Sequence, residues 1–274
     1  MSAHRLAVIS DVHGNRWALE AVLEDIARHG VHDVINLGDC LYGPLDPAGT
    51  ADLLMALGLP TVCGNEDRLL VEEGGRGDEP GAHAASSPSL AYTLDCLSPA
   101  HLAWLRGLPP LLAAHGGELL LCHGSPGRDD AYLLWDVTPD GARPRPPEAI
   151  AAALAAAATA VTAATAGVNP VAAVAPVVLC GHDHVPRSVR LPAVTLVVDP
   201  GSVGLPAYFD DTPPPHAMQT GTPHARYALV TRDRDGWSAQ DIAVPYDWEA
   251  AATAASRNGR PDWARWLREG IAAQ

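Results

Sequence analysis

Leu6-Ala7-Val8-Ile9-Ser10-Asp11-Val12-His13-Gly14-Asn15 begins as a short apolar run and ends in polar residues around a glycine. The run has the composition of a buried strand. Asp11 and His13, two apart just past its end, face the same way and can converge on one metal ion. Gly14 lets the backbone turn close to them, and Asn15 can cap the helix that follows.

Working outward, residues 15–29 place Leu19, Val22, Leu23, Ile26 and Ala27 on one helical face, with Gly30 as the stop. Residues 34–37 predict a second strand ending at Gly38-Asp39, 47–57 a second helix, and 61–63 a third strand ending at Gly64-Asn65-Glu66-Asp67. Residues 72–89 are a Gly/Pro/acid-rich loop, and Ser98-Pro99 opens a helix through Leu105. Residues 118–122 predict a strand delivering His123-Gly124, and 176–180 one delivering Gly181-His182-Asp183-His184. Strands alternating with helices, each strand ending in glycine beside polar residues, describe a mostly parallel sheet that collects ligands at its carboxyl edge. Short β-type runs at 188–191, 195–198, 226–231 and 237–244 predict a second, largely antiparallel sheet packed on the first. Residues 212–223 form a Pro-rich loop, and 262–272 a closing amphipathic helix bearing Trp263, Trp266, Leu267 and Ile271.

Composition bounds the partners. With 18 basic against 32 acidic residues the formal charge is -14, which opposes bulk binding to nucleic acid or to an anionic membrane. The N-terminal run is too short for a signal peptide, and the charge-free residues 149–181 are Ala/Thr-rich and broken by prolines, so they predict a soluble helix and a buried strand. Five cysteines, four of them beside motif residues at the ends of apolar runs, predict reduced, packed thiols in a cytoplasmic protein. Strand alternation turns Cys122 away from the face used by His123.

Together the strand ends supply Asp11, His13, Asp39, Asn65, His123, His182 and His184. Seven such donors suit two ions better than one, with a carboxylate shared. Mixed His/Asp/Asn ligands without thiolate suit Mn, Fe, Co, Ni or Zn in open catalytic geometry. Two ions roughly 3.5–4 Å apart can hold a bridging hydroxide and clamp the oxygens of a displacement at phosphorus.

These blocks, Asp11-x-His13, Gly38-Asp39, Gly64-Asn65, His123-Gly124 and Gly181-His182-x-His184, resemble the calcineurin-like metallophosphoesterase superfamily, in particular its small bacterial phosphoesterases. The resemblance extends over roughly residues 5–250, through Pro200-Gly201-Ser202 and Val244-Pro245-Tyr246-Asp247. It implies an α/β fold, a four-layer α/β/β/α sandwich of two mixed sheets flanked by helices, with the metal site at the strand carboxyl ends. Residues 1–250 would form this single domain and 251–274 a C-terminal amphipathic helix packed on it. It also implies that Asp11, His13 and His184 hold one ion, Asn65, His123 and His182 the other, and that Asp39 bridges. Manganese is favoured.

The chain departs from the family where Gly64-Asn65 is followed by Glu66-Asp67, with no histidine to protonate the leaving group. Glu66, near cations and unburied, should be ionised and a poor acid. Glu66 and Asp67 are the candidate catalytic residues of this block, and Asn65 and Arg68 the candidate substrate contacts. Asp199 and Ala207 stand where the family often has Asn and Arg, and Arg187 is a second basic candidate. The expected activity is hydrolysis of a small-molecule or nucleotide phosphoester with a good leaving group, by metal-bridged hydroxide. The alternative is a metal-binding scaffold of the same fold, weakened in catalysis and acting through a protein interface.

Overall fold

Strand β1 (His4–Ile9) is covered on both faces, and its alternation sorts the chain into layers. Leu6 and Val8 point into a core shared by two sheets, whereas Ala7 and Ile9 point outward onto helices. The computed structural model describes residues 4–75, 87–165, 175–192 and 195–272.

From β1 the chain passes through α1 (Arg16–Arg28) to β2 (Val34–Asn36), which pairs parallel to β1. Among the described residues four helices follow: α2 (Pro47–Leu57), α3 (Asn65–Gly74), α4 (Pro88–Cys96) and α5 (Pro99–Arg106). β3 (Leu111–Ala114) and β4 (Leu119–Cys122) are antiparallel neighbours, and β5 (Trp135–Thr138) with β6 (Gly141–Pro144) is a separate hairpin. α6 (Pro147–Thr165), β7 (Val177–Leu179), β8 (Arg187–Arg190) and β9 (Leu196–Asp199) come next. β10 (Ala207–Asp210) and β11 (His216–Gln219) form a second hairpin, and β12 (Ala225–Asp233), β13 (Gly236–Val244), α7 (Trp248–Arg257) and α8 (Pro261–Glu269) complete the order.

One sheet runs β13-β12-β1-β2 and the other β3-β4-β7-β9-β8. Both are mixed: β12 is antiparallel to β1, while β7 lies parallel to β4 and β9. Leu6, Val8 and Ile35 meet Leu119, Leu121 and Val177 between the sheets. Leu19, Leu54, Leu70, Leu90 and Leu105 cover the outer face of the first sheet. Ile150 and Leu154 of α6 cover Leu120 and Val178 on the second. The layers are therefore α/β/β/α. Cys122 lies under α6, on the face away from the site, and the cysteines are free.

Several expectations change. The late β-type runs do not make a sheet of their own: 188–191 and 195–198 extend the β4–β7 sheet, and 226–231 and 237–244 extend the β1–β2 sheet. A run's composition carries its β preference but not its neighbour. Residues 61–63 reduce to one bridge, Thr61 to Asn36, because the Cys63 N–H leaves β2 for the carbonyl of Pro109. Of the loop expected at 72–89, residues 72–74 close α3 and 88–89 open α4, while 76–86 lie outside the described residues. The Pro-rich 212–223 segment contains β11, and the closing segment is two packed helices, α7 and α8, instead of one.

Candidate metal centre

The carboxyl ends of β1, β2, β4 and β7 meet where the two sheets come together, and those of β1, β2 and β7 release their donors in strained turns. Asp11, His13, Asp39, His182 and His184 all have positive φ, between 51° and 75°, a conformation that non-glycine residues keep only when surrounding contacts compensate. Those contacts are visible: the N–H groups of Asp11 and His13 donate to the carbonyls of Gly38 and Asp39, both at 3.0 Å. Gly64 is required because a Cβ there would fall 2.0 Å from Asp39 Oδ1. That oxygen instead accepts the backbone N–H of Glu66 at 2.9 Å, so α3 docks its first turn on the carboxylate.

Backbone carbonyls set the histidine tautomers. Nδ1 of His13, His123 and His184 faces the carbonyls of Tyr42, Leu37 and Leu205 at 3.0, 2.8 and 2.8 Å. A carbonyl only accepts, so in the neutral ring each Nδ1 carries the hydrogen and Nε2 is left with its lone pair. These lone pairs converge. His184 Nε2 is 3.3 Å from Asp11 Oδ1, His123 Nε2 is 3.2 Å from Asp39 Oδ2, and His13 Nε2 is 3.0 Å from His184 Nε2. Two lone pairs at that separation repel unless a proton or a metal cation lies between them. Asp11 Oδ1, Asn65 Oδ1 and His123 Nε2 are buried without hydrogen-bond partners, which is costly for polar atoms unless something binds them. Asp11, His13 and His184 form one group with metal-ligand spacing, and Asp39, His123 and His182 a second. The donor set fits divalent transition cations.

Burial opposes charge here and is overcome only where opposite charges meet. It pushes the Asp11 carboxyl up, yet the imidazoles of His184, His123 and His13 hold it well below the usual carboxylate range. Asp39 is lowered in the same way, chiefly by His123. Burial lowers His13 and His123, but Glu66, Asp39 and Asp11 raise His13 to about 9, and Asp39 and Asp11 raise His123 to about 10. His182, half-buried beside His123, is lowered to about 4 by desolvation and by the neighbouring His123.

A cavity of about 300 Å³ opens over these donors. His13, Asp39, Asn65, Glu66, His182 and His184 line its floor. Glu66 is not the unburied carboxylate expected: its side chain is 26% exposed, Oε2 lies 3.2 Å from His13 Nδ1, and burial lifts its pKa to about 7. Asp67 stands behind the floor, where its oxygens accept the N–H groups of Cys40 at 2.9 Å and Gly64 at 3.1 Å, bracing the two loops that carry Asp39 and Asn65. Arg68 is turned away from the cavity lining and forms a two-point pair with Asp129 at 2.8 and 3.1 Å. Arg187 donates to the carbonyls of Leu134 and Arg145. The basic residue that does line the cavity is Arg260, held by Asp262 and stacked over Trp263. The walls are aromatic, with Tyr42, Tyr132, Tyr208 and Trp263 among them. Tyr132 bonds Tyr208 Oη at 2.5 Å and His216 at 2.9 Å, joining the β10–β11 hairpin to the site. No local pattern distinguishes Arg260 or these rings from ordinary core and surface residues, since they meet the donors only through the fold. Asn15 is the helix cap expected, accepting from Ala18 N.

The profile of the calcineurin-like phosphoesterase superfamily domain matches residues 5–220. An uncharacterized protein of Methanocaldococcus jannaschii is 22% identical over 94% of this chain and 94% of its own length. A metallophosphoesterase from Sphaerobacter thermophilus superposes with a TM-score of 0.68 and 24% identity, covering 98% of this chain and 100% of that one. A protein described as a putative diadenosine tetraphosphatase superposes with a TM-score of 0.50 and 16% identity over 87% of this chain and 93% of its own.

Proposed function

Since this chain belongs to the calcineurin-like phosphoesterase superfamily and is a metal-dependent phosphoric ester hydrolase, we propose that it cleaves phosphodiesters or activated phosphomonoesters at a binuclear centre, with manganese favoured. Asp11, His13 and His184 would hold one ion, Asn65, His123 and His182 the other, and Asp39 would be shared. The observation that carries this reading is the convergence of lone pairs from His13, His123 and His184 on two carboxylates, with Asp11 Oδ1, Asn65 Oδ1 and His123 Nε2 lacking partners. When bound, such ions polarise phosphoryl oxygens and let hydroxide form near neutral pH.

The chain's own residues set the substrate. Glu66 occupies the place of the expected imidazole acid, and its Oε2 is engaged by the His13 ring, which holds that oxygen away from a departing group. Good leaving groups follow as the preferred class. Aromatic walls offer planar apolar surface to an aryl or nucleobase group, and Arg260, paired with Asp262, is the guanidinium that lines the cavity where Arg68 does not. Free cysteines support a reducing, cytoplasmic setting. Among the described residues no helix is long and apolar enough to cross a membrane.

A manganese-loaded series of aryl phosphates and phosphodiesters tests this. The rate should fall as the leaving-group pKa rises. A rate independent of that pKa would remove the leaving-group preference, and no turnover of any phosphodiester at full metal content would favour the scaffold reading.

A further inference from the structure

The opposite edge of the sandwich holds a second convergence of ligands. His4 begins β1, Asp33 immediately precedes β2, and His115 sits in the turn between β3 and β4. Distant in sequence, they meet where the strands start. Nε2 of His4 is 3.3 Å and Nε2 of His115 is 3.1 Å from the same Asp33 Oδ2. The two rings lie 4.9 Å apart. A four-coordinate zinc with ligands at roughly 2.0–2.1 Å needs donor atoms about 3.3–3.4 Å apart, so these separations are close to the edges of a tetrahedron.

The backbone adds an independent observation. His115 has φ 51°, and the other non-glycine residues with positive φ among those described are Asp11, His13, Asp39, His182 and His184. All five belong to the metal centre. A side chain larger than glycine is held in that conformation where the surrounding structure over-determines it, and such positions cluster at ligand-binding sites. Asp33 is also anchored, since its carbonyl accepts Ala7 N–H at 2.8 Å. The neighbouring positive charge is accounted for: Arg232 pairs with Glu118 and stacks over Trp237. A space of about 260 Å³ beside His4 and His115 leaves room for a water as fourth ligand.

We propose that His4, Asp33 and His115 form a second metal site, specific for a single zinc-type divalent cation, that ties the two sheets together at the edge opposite the catalytic centre. His4 and Asp33 flank the starts of β1 and β2 in the first sheet and His115 lies in the turn before β4 of the second, so the cation would add a cross-link between layers already joined there by the Arg232–Glu118 pair. Its role is to stabilise the sandwich, not to react.

The test is zinc alone, equilibrated with chelator-stripped full-length protein and with His115→Ala and His4→Gln, followed by dialysis and metal analysis. Zinc in the catalytic centre is common to all three and cancels. Wild type should retain one equivalent more than either variant. Its Tm should rise roughly 5–10 °C further at about 100-fold excess over Kd. Hydrolysis of an aryl phosphate should be equal in all three. Equal zinc content and equal Tm shifts would overturn the proposal. So would loss of hydrolysis together with the lost equivalent, because that would assign the missing zinc to the catalytic centre.

Discussion

At the carboxyl edge His13, His123 and His184 are 4%, 0% and 4% exposed and each is oriented by a backbone carbonyl; at the amino edge His4 and His115 are 47% and 26% exposed and meet on Asp33 alone. Both edges use imidazole and carboxylate at the termini of the same strands. What differs is the support behind them. Burial strengthens each electrostatic contact and removes competing water, while fixed carbonyls choose the tautomer before any ligand arrives. The inner donors are preorganised by the fold, whereas those of the proposed outer site stand open to solvent and would be ordered by the ion itself.

Substitutions can break this contrast, beginning with the most severe. Asp39→Ala should reduce phosphoesterase turnover to background and lower the metal content of the catalytic centre, while any zinc held at the amino edge is retained. Turnover at full metal loading would rule out the sharing of Asp39. Asp67→Ala should act through the frame instead. It strips two buried N–H groups, those of Cys40 and Gly64, of their acceptor, at a cost of about 2–4 kcal/mol. Thermal unfolding should register this as a drop of roughly 5–10 °C, with metal affinity lowered about 10- to 100-fold as the loops bearing Asp39 and Asn65 loosen. An unchanged Tm would show that the brace is dispensable. The smallest effect belongs to Arg68→Ala. Its side chain is 45% exposed and paired with Asp129, so the loss should stay below about 1 kcal/mol and KM should not move. A several-fold rise in KM would return Arg68 to the substrate site.

The order in which the chain's parts could be read follows from how local their signals are. A strand end such as Leu6–Asn15 carries its hydrophobic run, turn glycine and donors within ten residues, so its local structure is legible there, while its role as a metal arm rests on the five blocks occurring together. Residues 61–63 look like a strand by the same rule, yet Cys63 spends its N–H on Pro109 and only one bridge survives. The hairpin strand at 216–219 is hidden among prolines, because its partner at 207–210 is what makes it a strand. Asp67 and Arg68 are adjacent to Asn65, but in α3 successive side chains diverge around the axis: Asp67 goes behind the donors and Arg68 toward Asp129. Nearness in sequence made them candidates, and helical geometry separated them.

The sequence by itself offered Asp11, His13, Asp39, Asn65, His123, His182 and His184 as candidate donors from residue type and short spacing, while the α/β/β/α class came from the resemblance that the five blocks carry together. Only the tertiary structure decided that Glu66 is half-buried against His13, that Arg260 and a wall of tyrosine and tryptophan border the cavity, and that His4, Asp33 and His115 meet at the far edge. The physical reason is that these are encounters between side chains brought together by sheet order and layer packing, and no local spacing encodes them.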